Sequence, residues 1–80
     1  MADVLRTAFG FSKGYDKTAV IMLIDKLTTT IMEYEDGSIS RDEALAKMRD
    51  ARNYTELPMK RGGFVPEDVD EYLDDLLSKI

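Results

Sequence analysis

Apolar residues recur along this 80-residue chain in three stretches, each with the spacing of a helix rather than the alternation of a strand. The first stretch holds Val20, Leu23, Ile24, Leu27 and Ile31, and it predicts a helix from about Asp16 to about Glu35. Asp16 suits the N-cap, because a short carboxylate can accept from a free amide of the first turn. Ile21, Met22 and Met32 add apolar surface on the other sides of the same helix. A helix that is apolar nearly all round expects cover on several sides. The β-branched run Thr28-Thr29-Thr30 weakens its middle.

Asp36-Gly37 ends this element, with Gly37 suited to the left-handed position after a helix. Ser40-Arg41-Asp42-Glu43 then has the form of a capping box, in which the serine caps and the glutamate reaches back. The second helix runs to about Asn53 on a narrow stripe of Ala44, Leu45, Met48 and Ala51. Small side chains allow close approach, so it is expected to be the return arm of a helical hairpin. Residues 54–64 read as a loop, because Pro58 and Gly62-Gly63 oppose helix.

Pro66 stands where proline favours a helix start, and Glu67 and Asp68 complement the dipole there. Val69, Tyr72, Leu73, Leu76, Leu77 and Ile80 keep helical spacing without a fault. Residues 2–9 fit either one helical turn or an extended arm, with Val4, Leu5, Ala8 and Phe9 as the apolar positions. No stretch reads as a strand. The expected fold is all-α: a helical hairpin plus a C-terminal amphipathic helix, in a single domain over residues 1–80.

Size sharpens this expectation. A chain of this length buries only about 60–65% of its unfolded surface, so its own core is modest. The apolar first helix then points to self-association as a dimer, through Val20, Leu23, Ile24, Leu27 and Ile31. Met22, Met32, Met48 and Met59 are expected to fill gaps in the core. Cysteine and histidine are both absent. The chain therefore has no thiolate metal site, no disulfide framework and no histidine base. Met1-Ala2-Asp3 lacks the basic start of a signal peptide, and the longest apolar run, residues 19–24, cannot span a bilayer. A soluble, cytoplasmic protein is expected.

The net charge of −5 is local, because acids and bases balance over residues 1–62 and the acids dominate residues 63–80. Nucleic acid is not an expected partner, since phosphate recognition needs clustered bases. Asp70, Glu71, Asp74 and Asp75 form either a solvated face or a docking face for a basic protein.

The candidate chemistry is sparse. Asp36 to Glu43 imitates the second half of a calcium loop, but Met32 and Tyr34 would occupy positions that need side-chain oxygens. Paired acids such as Asp70 and Asp74 lie opposite the apolar stripe, where they face water rather than a dry cleft. Neither a nucleophile–base pair nor a phosphate-loop pattern is present. No enzyme activity, metal or cofactor is expected. Phe11 and Lys13 sit in a glycine-flanked loop and could form a small membrane wedge and anchor. The favoured reading folds Phe11 back onto the hairpin and leaves Lys13 solvated.

One passage occurs twice, 49 positions apart, in units of about residues 9–31 and 60–80. Gly14/Gly63, Val20/Val69, Asp25/Asp74, Leu27/Leu76 and Ile31/Ile80 are identical, and Tyr15/Phe64 and Ile24/Leu73 are conservative. Gly14-Tyr15-Asp16 in the first unit and Val69-Asp70-Glu71-Tyr72-Leu73 in the second resemble the DivIVA family of bacterial cell-division and polar-growth scaffolds. The first unit departs from that pattern with Val20-Ile21-Met22-Leu23-Ile24 in place of the acidic core. The second has Phe64-Val65 in place of the Tyr-Asp pair.

The resemblance implies a non-catalytic scaffold that assembles through parallel coiled coils and marks curved membrane. It also implies that an aromatic and a base just before the Gly-Tyr-Asp touch membrane, a region occupied here by Phe11 and Lys13, with Tyr15 of the motif as a third expected contact. The expected function is a protein-interaction module of this kind. The alternative is a small regulatory protein that binds a basic partner through Asp70, Glu71, Asp74 and Asp75.

Overall fold

The computed structural model describes residues 5–8 and 12–80. Along the chain these form β1 (Lys13–Tyr15), α1 (Lys17–Glu35), α2 (Arg41–Tyr54), β2 (Met59–Arg61) and α3 (Pro66–Leu77). The three helices begin where local chemistry dictates. Asp16 caps α1 by accepting from the Ala19 amide at 3.3 Å. Ser40 caps α2, its hydroxyl accepting from the Glu43 amide at 3.1 Å and donating to Glu43 Oε1 at 3.5 Å. The glutamate thus reaches back to the serine side chain. α3 opens on Pro66 with no side-chain cap, and its missing amide needs none. Gly37 ends α1 at φ 85°, a conformation costly to any residue with a Cβ.

α1 and α2 pack as the expected hairpin, and α3 packs against both. Val20, Leu23, Leu27 and Ile31 of α1, Ala44 and Met48 of α2, and Val69, Leu73 and Leu76 of α3 form the buried core. Thr30 is the one member of the threonine run that is buried. Its hydroxyl donates to the Lys26 carbonyl at 2.9 Å, which satisfies it inside the helix.

Two features correct the sequence-based expectation. The 54–64 segment is not a plain loop, and the fold is not purely helical. β1 and β2 pair antiparallel, with Lys13 opposite Arg61, Gly14 opposite Lys60 and Tyr15 opposite Met59. On its other side Tyr15 exchanges hydrogen bonds with Phe64, both at 2.9 Å. Thr7 bridges to the far edge of Phe64, supported by Ala8 N–H to Gly63 O and Arg6 O from Val65 N–H, each 2.7 Å. The described part of the N-terminal segment is thus an extended arm. These strands escape sequence reasoning because they are three residues long, rich in Gly, Lys and Arg, and lack apolar alternation.

Candidate functional site

The doubled passage folds into one seam. Gly14 and Gly63 face each other so closely that a Cβ on Gly14 would lie 2.2 Å from Phe64 O, and one on Gly63 would lie 2.4 Å from Tyr15 O. Only hydrogen fits there. The adjacent aromatics, Tyr15 and Phe64, are half-buried and pack against the core. The helices that follow begin at Lys17 and Pro66, which keep the same 49-residue offset as the glycines. The two units are therefore paired with each other inside one chain, each helix leaving the seam at the same point of its own copy. Lys17 Nζ lies 5.5 Å from the centroid of the Phe64 ring, tying the first helix to the aromatic of the second unit.

A second tie comes from the arm. Arg6 Nε and Nη2 donate to the two carboxylate oxygens of Asp68 at 2.8 and 2.9 Å, and the Arg6 amide donates to the same group at 3.1 Å. The Asp68 side chain is 8% exposed and that of Arg6 73%. Three donors on one carboxylate hold the Asp68 carboxyl below its ordinary value of 3.8, and the same hydrogen bonds raise the Arg6 guanidinium. In sequence Asp68 reads only as an acid favouring the start of α3. Nothing local connects it to Arg6, because 62 positions separate them.

The expected site residues land as follows. Val20, Leu23, Leu27 and Ile31, read as self-association positions, are buried in the chain's own core, and Ile24 is half-buried against it. The face of α1 that stays outside carries Ile21, Met22 and Met32, exposed by 57%, 58% and 62%. Met22, Met32 and Met59 are likewise outside the core they were expected to fill, whereas Met48 is fully buried.

Phe11 lies outside the described residues. Lys13 is exposed on β1 beside Arg61 and Lys60, two bases that sequence reasoning left in a loop. Tyr15 is not a protruding contact residue, since its ring packs on the core and its backbone is bonded to Phe64. Of the acidic set, Asp70 is engaged by Arg52 at 3.1 Å. Glu71, Asp74 and Asp75 are exposed, and Glu67 joins them one turn earlier.

The stretch that imitates a calcium loop has local work instead. Asp36 Oδ1 accepts from the Ser38 amide at 2.8 Å, and the hydrogen bonding from Ser38 lowers the Asp36 carboxyl. Among the described residues, no helix is long and apolar enough to cross a membrane. No protein-family model, curated protein or solved structure matches the chain.

Proposed function

We propose that this domain is a non-catalytic interaction module that assembles with a second copy of itself. The observation that carries the reading is the outer face of α1. Ile21, Met22 and Met32 are more than half exposed there, on a helix whose opposite side already fills the core. Ile21 and Met32 are three turns apart on one line, with Asp25 and Thr28 between them. Lys17 stands at the start of the same face and Glu35 at its end, five turns later. An antiparallel pairing of two α1 helices sets each Lys17 near the partner's acidic end and covers Ile21 and Met32 of both copies.

The DivIVA resemblance supports a scaffold role. It carries with it a bacterial, cytoplasmic setting in cell division. The seam supports the same role from another side, because it fixes the helices on a rigid base rather than around a reactive cleft. Peripheral membrane contact through the loop before Tyr15 is not favoured.

Mass measured by light scattering between about 10 and 300 μM tests the assembly. A dimer that reverts to monomer in the Ile21→Glu/Met32→Glu variant supports it. A wild-type monomer throughout that range would remove it. The second reading, a regulatory protein that binds a basic partner, rests on the exposed Glu67, Glu71, Asp74 and Asp75. Its mark is a salt-sensitive complex with a lysine-rich peptide, lost when Glu71 and Asp75 become glutamine.

A further inference from the structure

The arm lies in a slot that reads its chemistry. Asp68 is buried, and among the described residues its carboxylate is met by Arg6 alone, through the guanidinium and the amide. Around this ion pair the arm pairs as a strand. The Arg6 carbonyl accepts from the Val65 amide and the Ala8 amide donates to the Gly63 carbonyl, on either side of the Thr7–Phe64 bridge. Leu5, the residue before the arginine, packs half-buried against the core.

The slot therefore selects an extended backbone, one arginine and one apolar side chain ahead of it. Without an occupant, residues 63–65 would be an open sheet edge, and Asp68 would be a buried charge lacking its partner. The occupant in this structure is a short segment of the chain itself, and it shows what a bound strand looks like there.

The slot is also more acidic than the arm is basic. The Arg6 guanidinium is raised first by its hydrogen bonding to Asp68, and then by the charges of Asp68, Glu67 and Glu71. Three carboxylates thus stand within reach of one base. Asp68 is matched by Arg6, but Glu67 and Glu71 are exposed and make no ion pair among the described residues. Asp74 and Asp75, one turn further on, are in the same state, whereas Asp70 is taken by Arg52. An extended segment with the same arginine and additional bases matches this surface better than the arm does.

We infer that the slot is a docking site for a basic, extended segment of a partner protein, closed in the free chain by the arm as an internal stand-in. The partner adds a strand to the edge at residues 63–65, sets its arginine on Asp68 and its further bases on Glu67 and Glu71. This rests on the basic-partner reading of the acidic face, and it adds where that partner binds and in what conformation. The tethered arm competes at a high effective concentration, so binding in trans strengthens when the arm is weakened.

The probe is a fluorescein-labelled peptide, Lys-Lys-Leu-Arg-Thr-Ala-Lys-Lys, which repeats residues 5–8 between lysines. It is titrated by fluorescence polarisation in about 50 mM salt, with an expected Kd of about 100 μM. A control peptide with proline in place of its alanine keeps the charge but lacks the amide that meets the Gly63 carbonyl, and it binds about tenfold more weakly. Ala8→Pro in the chain weakens the arm without altering its charge, and it tightens the probe about tenfold. Equal affinity for the two peptides would overturn the inference and leave the basic-partner reading standing, since the face would then sense charge alone. Unchanged affinity in Ala8→Pro would overturn it as well. No binding of either peptide up to about 1 mM would remove both readings. The peptides are compared on the wild-type chain, so that result holds whatever Ala8→Pro does to the fold, which circular dichroism checks.

Discussion

Gly63→Ala is the sharpest test of the seam. The added methyl lies 2.4 Å from Tyr15 O and 2.6 Å from both the carbonyl carbon and oxygen of Gly14. All three atoms are backbone, so no side-chain rotation relieves the clash. The two segments must move apart by about 1 Å to restore van der Waals contact. That separation weakens the reciprocal Tyr15–Phe64 hydrogen bonds, and it strains the Ala8 bond to Gly63 O. Each such bond contributes about 1 kcal/mol net.

Together with loosened packing of the two aromatics, the expected loss is about 2–4 kcal/mol. In a domain of this size it lowers Tm by roughly 10–25 °C. Urea unfolding followed at 222 nm gives the free energy directly. Gly37→Ala is the control. Nothing lies within 4 Å of its added methyl, so only its φ of 85° matters, at a cost of about 1–2 kcal/mol.

The double variant separates the two causes. Gly14→Ala and Gly63→Ala disturb one contact from both sides, so together they cost less than the sum of the single changes. Gly63→Ala with Gly37→Ala is additive within about 0.5 kcal/mol. A cost below about 1 kcal/mol for Gly63→Ala, or full additivity at the seam, would refute the close approach as a constraint.

Met48→Ala opens a cavity at the fully buried junction of α2 with the core, and is expected to cost about 2–5 kcal/mol in the same urea assay. Ser40→Ala leaves the Glu43 amide without its acceptor, for a loss of about 1 kcal/mol, with helicity falling mainly in the first turn of α2 by NMR. Asp68 has a folded pKa below its unfolded value, so its contribution is complete above the unfolded value and fades as pH falls through the folded one. Acid titration of stability therefore declines less steeply in Asp68→Asn than in the wild type, and the variant is less stable at neutral pH.

Helix boundaries were legible in the sequence because single residues decide them. Asp16, Gly37, Ser40 with Glu43, and Pro66 each satisfy or remove a terminal backbone group, and each stands at its expected place. The stripe of α3 was legible for the same local reason. The inward side of α1 was less so. Its periodicity names Val20, Leu23, Leu27 and Ile31, but periodicity cannot say whether they meet another part of the chain or another chain. The structure covers them with α2 and α3, leaving Ile21, Met22 and Met32 outside.

The seam was visible only as a repeated glycine–aromatic pair. That the copies touch is a long-range fact, set by the return of residues 58–65 alongside residues 13–16. Arg6 with Asp68, and Arg52 with Asp70, depend on that return in the same way.

The placement of the seam also orders the events of folding. Its hydrogen bonds join Arg6, Ala8 and residues 13–16 to residues 58–65, so a loop of about 50 residues must close before any of them forms. The α1–α2 hairpin closes over far shorter distances and gains its contacts first. α3 then docks together with the arm, since Arg6, Ala8 and Tyr15 all bond to the segment that leads into it. Opening runs in reverse. The amides of Tyr15, Phe64 and Val65 are expected to exchange with solvent as one group, at a common free energy below that of the Leu23 and Leu27 amides in α1. The chain is thus fastened by a clasp whose two halves lie about 50 positions apart in sequence, and releasing either half loosens the hold of α3 on the hairpin.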